Sequence, residues 1–363
     1  MRLALRELVR KPGRFVTATA ILTLIAILLM FLGGLLDGLL RASTGAVRSQ
    51  TADAIVYSDT SQSSFRRSRI EPDVRAAIEE LAGVDTVGAL GVVQLGARVP
   101  GNGPRDLADA ALWGYELPFD GVPSPPDDGE VYADEVLRAD GVELGDELLL
   151  GPARSPVRVI GWTSDTSYNG QGGLWANVAT WRSILAQNRP DAVLADGVVQ
   201  ALVVSGPGDV VDEIDGLDGG VYALSIDDAI EAIPGVTEQR TTFNQILGVT
   251  VVIALVVIGL FFALLTVERT ALYGVLKAIG ARSGTIFVGL VTQAVVVTAV
   301  ATAIAAGLVA VLDAVIPPGS IPLTISPGRI AISVVLLLIA AVIGCAFSLR
   351  RILRIDPASA LGS

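Results

Sequence analysis

The stretch FVTATAILTLIAILLMFLGGLL, residues 15–36, carries no charged side chain and decides the fold of this chain. It is longer than the roughly 20 residues that an α-helix needs to cross the hydrocarbon core of a bilayer. About 200 more polar residues follow it, and three further apolar stretches then come close together, at 246–267, 285–312 and 329–349. The pattern predicts a multi-pass α-helical membrane protein with four transmembrane helices, one before and three after a large domain.

The composition agrees with a membrane protein and excludes several kinds of catalytic site. Of the 363 residues 52% are hydrophobic, and the net charge is −11. Residues 41–240 contain 14 basic and 32 acidic side chains, whereas the rest of the chain has 12 and 5, so the large domain is acidic and the remainder basic. The chain has no histidine, which excludes Ser-His-Asp triads, Cys-His dyads and histidine metal sites. We predict no catalytic residues and no metal site.

Basic residues indicate which ends of the helices face the cytoplasm. Five of them precede the first helix, three lie in 268–284 and three in the tail, so the positive-inside rule places these segments inside and the acidic domain outside. A cleaved signal peptide is disfavoured, because the apolar run is longer than a signal sequence and no A-x-A site follows it. We therefore expect a plasma-membrane protein with a large extracytoplasmic domain.

The predicted order of segments follows from these spans. It is a cytoplasmic amphipathic segment (1–14), transmembrane helix 1 (15–40), an extracytoplasmic domain (41–245), transmembrane helix 2 (246–267), a cytoplasmic coupling helix (268–284), transmembrane helix 3 (285–312), an outer loop (313–328), transmembrane helix 4 (329–349) and a cytoplasmic tail (350–363).

The extracytoplasmic domain has the alternation of a mixed α/β fold. β-branched runs predict strands, and turn residues separate them from short helical patterns. Strands are expected at 54–57, 92–99, 157–162, 201–204 and 221–225, and helices at 74–81 and 210–214, with a proline-rich loop at 118–126.

The first helix contains three features with more than one interpretation. Gly34 and Gly38 form a G-x-x-x-G pattern, which is compatible with a homodimer contact, with packing inside one subunit, or with the abundance of glycine in the chain. Asp37 lies near the outer end of the helix, where an interfacial cap is the simplest interpretation. Met30 would fill space in most proteins, yet its sulfur is a soft ligand on an otherwise apolar helix.

The most informative short motif is ERTALYGVLKAIGA, residues 268–281, directly after the second apolar stretch. Its glycines interrupt a short amphipathic helix that would lie across the cytoplasmic end of the bundle, and a rigid helix there suits force transfer from a cytoplasmic partner. The residues assigned to this coupling are Glu268, Arg269, Gly274, Lys277 and Gly280.

This motif closely resembles the E-R-x-x-E-I-G-x-L-K-A-I-G-A segment of the MacB/FtsX-like (type VII) ABC transporter permeases, with Leu272 and Tyr273 in place of the Glu and Ile. The ending RIDPASAL, residues 354–361, resembles the terminal D-P-x-x-A-L of that family. Within the family the chain is most similar to the haem-exporter (Hrt-type) permeases. The stretches that carry this likeness are ALRE at 4–7, GLLDGL at 34–39, DAIV at 53–56, SDTSY at 164–168 and Ile321-Pro322.

The resemblance implies a homodimer of permeases that works with two copies of a cytoplasmic ATPase. The chain has no G-x-x-x-x-G-K-[ST] loop, so ATP would bind to the partner subunit. For a haem exporter the resemblance implies that haem leaves the membrane laterally, between the first helices, as the transported ligand. Without histidine, axial ligands would come from Met30, from a tyrosine such as Tyr168 or Tyr222, or from a carboxylate, and Arg41 and Arg48 could pair with the propionates.

Two other functions stay open on the sequence. The same fold could export another amphipathic cargo such as a drug, lipid or peptide, or it could relay a signal to an extracytoplasmic hydrolase without moving cargo. The relay predicts a hydrolase-binding patch and no haem site, whereas haem export predicts an apolar cleft that contains Met30. An enzyme is the weakest alternative, and no nucleic-acid partner is expected; membrane lipid surrounds the helices in every case.

Overall fold

The computed structural model describes residues 12–103, 105–268, 274–275, 277, 279–280, 282–316 and 321–353. The predicted amphipathic segment up to residue 11, much of the coupling segment and the tail from 354 lie outside the described residues. The chain divides into two compact units. Of the described residues, the membrane unit comprises those in 12–38, 241–316 and 323–353, and the outer unit comprises those in 39–240 together with 321–322.

Helices and strands alternate as expected for one helix, an α/β domain and three helices. The α-helices are α1 (Pro12–Arg48), α2 (Pro72–Glu79), α3 (Val178–Asn188), α4 (Val210–Asp215), α5 (Ile226–Ala232), α6 (Val236–Glu268), α7 (Ser283–Val315) and α8 (Pro327–Leu353). The strands are β1 (Ala54–Ser58), β2 (Thr86–Arg98), β3 (Leu107–Tyr115), β4 (Glu130–Asp134), β5 (Glu147–Leu150), β6 (Ser155–Thr163), β7 (Gly172–Asn177), β8 (Ala201–Ser205) and β9 (Val221–Ser225).

The membrane unit is built from α1, α6, α7 and α8, and these four helices are long and apolar enough to cross a membrane. Alanines and glycines allow close approach at several of their contacts, where large apolar side chains fill the remaining space. Gly259 of α6 and Gly344 of α8 lie backbone to backbone: a Cβ on Gly344 would be 3.0 Å from the Leu255 carbonyl oxygen and 3.1 Å from the Gly259 nitrogen. Thr23 donates a hydrogen bond of 3.3 Å to the Ala301 carbonyl and ties α1 to α7.

The outer unit contains a sheet that closes on itself. The long strand β2 pairs along one edge with β3 and along the other with β8 and then β5, and the pairings run on through β6, β4 and β7 back to β3. Six strands therefore form a ring around an apolar core, and β8, β1 and β9 extend the sheet beyond it. Helices α2 and α4 cover that extension through Ile78, Val210 and Ile214.

The fold class predicted from the sequence is confirmed, and so are the expected strands and helices of the outer unit. The strand predicted at 92–99 begins six residues earlier, at Thr86. The helices also continue past their apolar stretches: α1 runs to Arg48 and α6 begins at Val236, because helical hydrogen bonding does not stop where the lipid-facing composition stops.

Candidate functional site

The predicted tyrosine ligands both lie in one aromatic cluster of the outer unit. The ring of Tyr168 is 5.1 Å from that of Trp113 and 6.1 Å from that of Phe65, and the Tyr222 ring stacks 6.0 Å from that of Tyr57. Burial raises the pKa of Tyr168 to about 12, so its phenolate, the form that binds haem iron, is hard to reach. The role of Tyr168 as a ligand stays a prediction.

Tyr222 already has hydrogen-bond partners. Its hydroxyl accepts a bond of 2.6 Å from the Ser63 backbone N–H and lies 2.8 Å from the Ser63 Oγ. The backbone at Gln62 and Ser63 is left-handed, with φ of 52° and 56°, a conformation that costs about 1–3 kcal/mol per residue and persists only when neighbours impose it. The observed contacts give Tyr222 a second role that the sequence did not indicate: it holds the 62–63 turn.

The two arginines assigned to propionates face the same carboxylate. Arg41 lies 3.4 Å from Oδ2 of Asp165 and Arg48 lies 2.5 Å from its Oδ1. All three groups are partly exposed, so water screens the pairs. A haem propionate would have to compete with Asp165 for either guanidinium, and the assignment of Arg41 and Arg48 stays a prediction.

The loop that carries Asp165 packs directly on the last turns of α1 within the outer unit. Its backbone runs so close to Gly45 that a Cβ there would lie 2.5 Å from the Asp165 carbonyl oxygen. The buried carboxylate of Asp134 fixes the loop by accepting hydrogen bonds of 2.8 Å from both the N–H and the Oγ1 of Thr166. The SDTSY stretch therefore has a structural role at the outer end of α1.

An ion pair within the membrane unit was missed by sequence reasoning. Arg329, at the start of α8, donates to the Asp37 carboxylate of α1 through Nε, at 2.8 Å from Oδ2, and through a terminal nitrogen to Oδ1. The two side chains are only 20% and 25% exposed. Two parallel bonds of this kind are the strongest arrangement of an arginine and a carboxylate. Asp37 is thus an interhelical partner and not a simple interfacial cap.

Glycine makes room for this pair. A Cβ on Gly33 would lie 2.6 Å from the Arg329 Cδ, and the Gly34 carbonyl accepts a hydrogen bond of 3.0 Å from the Thr324 N–H. Gly34 therefore packs against residues of its own subunit, which is one of the three interpretations of the G-x-x-x-G pattern given above. Gly38 is also buried, and the role of Gly34 and Gly38 in a dimer stays a prediction.

Met30 is fully buried in the membrane unit. Its side chain belongs to an apolar cluster with Ala26, Leu29, Ala305 and Leu337, contributed by α1, α7 and α8. A haem iron would reach the sulfur only after these helices separate. Its role as a ligand stays a prediction.

The coupling segment is described in part. Arg269 lies outside the described residues, and Glu268 is the exposed last residue of α6. Residues 274–275 and 277 are helical, and Gly280 ends this turn with φ of 98°, the left-handed conformation typical of the residue after a helix. Ile279 beside it is 78% exposed, so an apolar side chain at the predicted partner surface is uncovered.

A family model for the C-terminal domain of FtsX-like permeases matches residues 244–357 of this chain. Residues 244–357 therefore correspond to the C-terminal domain of an FtsX-like permease. The match supports an ABC transporter permease of the FtsX/MacB type, in agreement with the four helices that are long enough to cross a membrane, and permeases of this kind work with an ATPase partner.

Two relatives align with this FtsX-like permease along its whole length. The candidate hemin transport system permease protein HrtB of Staphylococcus epidermidis is 22% identical over 371 residues, with 100% of this chain and 99% of the relative covered. The protein of the same name from Staphylococcus haemolyticus is 20% identical over 372 residues, with the same coverage.

The solved structures that match cover about half of the permease. The periplasmic region of MacB from Actinobacillus actinomycetemcomitans has a TM-score of 0.36 and 13% identity, and covers 52% of this chain and 95% of its own. The extracellular domain of the transporter YknZ from Gram-positive bacteria has a TM-score of 0.32 and 13% identity, and covers 48% of this chain and 100% of its own.

Proposed function

We propose that this permease exports haem from the bacterial plasma membrane, as a homodimer driven by two copies of a cytoplasmic ATPase. The observation that carries the proposal is the alignment with the HrtB proteins, which extends over the complete chain and leaves neither the membrane helices nor the outer domain unmatched. At 22% identity this likeness supports haem as the cargo without identifying it. The proposal is therefore tested at the residues of α1 that would contact haem.

One face of α1 carries groups that suit an amphipathic anion with a metal centre. Met30, Gly33, Gly34 and Asp37 are spaced i, i+3, i+4 and i+7, so they lie along the same side of the helix. Met30 and Asp37 are separated by about 10 Å along the axis at 1.5 Å per residue. That distance is comparable to the span between the iron of a haem and its propionates.

Arg329 is the natural partner of a propionate on this face. It already binds a carboxylate in the two-pronged geometry that a propionate would adopt, so at this guanidinium the ligand would take the place of the Asp37 carboxylate. In the proposal haem separates α1 from α8, its iron contacts the Met30 sulfur, and one propionate takes the place of Asp37. Export follows when the ATPase pulls the helices together again and the Asp37–Arg329 pair re-forms.

The ATPase acts through the coupling segment. The exposed Ile279 offers an apolar contact, and the turn that ends at Gly280 fixes its direction. An exposed apolar side chain at a site of this kind is typical of an anchor that a partner covers.

Haem titration of the purified permease tests the cargo and the site together. Met30→Leu keeps the side-chain volume and removes the sulfur, so it separates ligation from packing. We expect a saturable Soret shift in the wild type, a changed band position in Met30→Leu, and weaker binding in Arg329→Gln with an unchanged band. Leu29→Met on the neighbouring position serves as the matched control, with the wild-type spectrum expected.

The outcomes distinguish the alternatives. A saturable shift that neither substitution alters would keep haem as cargo and remove this face of α1 as its site. Absence of a saturable shift would refute haem export and would favour a different amphipathic cargo or the signal relay.

A further inference from the structure

The outer unit contains a cavity of about 500 Å³ whose wall is rich in arginine. Its volume lies within the range of small-molecule sites. Arg66, Arg67 and Arg69 come from the segment after β1, and Arg189 follows the last turn of α3. Asp191 is the one acidic residue of the described wall, so the cavity is strongly positive although the domain around it carries 32 acidic and only 14 basic residues.

Among the described residues, the four cavity arginines have no acidic partner within ion-pair distance, as is also true of Arg154, Arg158 and Arg182, and what distinguishes the four is that they line one cavity. Arg41, Arg48, Arg75, Arg138 and Arg240 each lie within an ion-pair distance of a carboxylate. Within the described residues, Arg67 bonds to the Gln62 amide oxygen, and Arg69 bonds to the carbonyls of Arg66 and Ser68. Hydrogen bonds to carbonyl oxygens orient a guanidinium but do not neutralise its positive charge. An anion bound in the cavity would provide the opposite charge.

The local backbone holds the arginines in place. Phe65 and Ser68 are both buried, at 1% and 0% exposure, so residues 66 and 67 between them are left exposed and residue 69 is left partly exposed. Ser68 accepts a hydrogen bond of 2.9 Å from the Ser58 N–H, and Tyr222 fixes the strained turn just before this segment. The segment that carries Arg67 and Arg69 is therefore preorganised, which lowers the loss of conformational entropy when a ligand binds to these two side chains.

The floor of the cavity adds apolar and polar contacts. Val92, Val93 and Leu185 contribute apolar surface. Gln200 is 3% exposed, lines the same cavity, and commits its amide oxygen to the Val92 N–H at 2.6 Å, so the remaining polar end of this side chain is a donor. Donors and cations at one side with apolar surface at the other suit a small anion that carries an apolar group.

From this cavity we infer a binding site for a small amphipathic anion, one that bears a phosphate or carboxylate beside an apolar body. Arg69 and Arg189 bind the anionic group, and Val92 with its neighbours receives the apolar part. The site lies in the outer unit and does not depend on the haem proposal.

Phenyl phosphate is a suitable probe because it is water-soluble and combines both features. Calorimetric titration of the full-length permease in phosphatidylcholine nanodiscs is compared with inorganic phosphate, phenol and benzoate. We expect saturable binding of phenyl phosphate, weaker binding of inorganic phosphate and no saturable binding of phenol. Benzoate shows whether a carboxylate can replace the phosphate.

Substitutions locate the site. Arg69→Gln and Arg189→Gln are each expected to weaken phenyl phosphate binding by about tenfold, the loss of one charge-assisted contact. Arg105→Gln, which removes the same charge from an exposed loop outside the cavity wall, is expected to bind as the wild type does. Arg189 is exposed, so its variant keeps the test valid if Arg69→Gln does not fold.

Equal affinity in the wild type, Arg69→Gln and Arg189→Gln, or no saturable binding of phenyl phosphate or benzoate, would overturn the inference. Repeating the titration in nanodiscs enriched in phosphatidylglycerol distinguishes the sources of the anion. Competition there identifies a lipid headgroup as the natural ligand, whereas unchanged affinity identifies a water-soluble one.

Discussion

Replacing Asp37 by Ala should destabilise the membrane unit, because Arg329 would be left without its carboxylate. The pair is bidentate, and its side chains are 20% and 25% exposed. Removing one member of a fully buried pair costs about 3–5 kcal/mol, and a charged side chain at the bilayer centre costs about 2.5–3.5 kcal/mol. The partial exposure of both groups reduces these values, so we expect a loss of about 2 kcal/mol.

Cys345 provides the assay. It is the one cysteine of the chain and is fully buried in the core of the membrane unit, so a thiol-reactive dye labels it only when this unit opens. The free energy of unfolding in detergent can then be followed for Asp37→Ala, Arg329→Ala and the double variant. We expect a coupling energy of about 1–2 kcal/mol from this cycle, since contacting residues couple by 0.5–3 kcal/mol.

The exposed pair of Glu135 and Arg138, with side chains 55% and 53% exposed, is the control. Because this pair lies in the outer unit, which contains all four tryptophans of the chain, its cycle is followed by tryptophan fluorescence and not by Cys345 labelling. Its cycle should give less than about 0.5 kcal/mol, as helical surface pairs do. A coupling between Asp37 and Arg329 no larger than this control would show that the observed geometry contributes nothing to stability, and the reasoning would be wrong.

Three further predictions follow from single positions. Gly280→Ala places a side chain on a residue whose φ is 98°, which costs about 1 kcal/mol. We expect this variant to bind less ATPase in a pull-down. Gly284→Ala, whose added Cβ would lie in open space, should bind as the wild type does. Gly259→Val should lower the temperature at which Cys345 becomes reactive, because a Cβ at this position would already lie 3.3 Å from the Gly344 carbonyl oxygen. Gly307→Val should leave that temperature unchanged, because a Cβ at Gly307 would meet nothing within 4 Å. Burial raises the pKa of Tyr168 to about 12, so its contribution to stability is complete below pH ~10, the pKa of an exposed tyrosine, and is lost as the pH rises from there towards 12. Tyr168→Phe should therefore flatten the decline in melting temperature over that window, as followed by tryptophan fluorescence, and an unchanged slope would contradict the assignment.

The membrane helices could be predicted from the length of their apolar stretches, and the strands with continuous β-branched runs from their composition. β1 and β8 are buried along nearly their whole length, and such strands have an unmistakable apolar signal. Strands β3, β4 and β7 gave no comparable signal, because alanine, glycine and acidic residues interrupt them. They are held by their neighbours in the ring and not by their own propensity.

The ion pair of Asp37 with Arg329 shows why some contacts of the candidate site could not be predicted from the sequence. Its partners are 292 positions apart, and no local spacing indicates that they meet. A clue was nonetheless present in the composition: Asp37 and Arg329 are charges of opposite sign at the predicted outer ends of two apolar stretches, and charged residues in such places are usually paired. Asp165 was missed as the partner of Arg41 and Arg48 for the same reason of sequence distance.

The closed ring of strands has a consequence for how other chains can associate with the outer unit. Within the ring, each strand has hydrogen-bonded neighbours on both sides, and in the described sheet β9 is the strand left with a single neighbour. Unsatisfied backbone donors and acceptors are what a foreign strand recognises, so the five residues Val221–Ser225 form the one full-length open edge of the described sheet. Closing six strands into a ring removes most of the edge that an open sheet of nine strands would offer for cross-strand aggregation, and a partner that adds a strand alongside the whole length of an existing one would have to do so at β9.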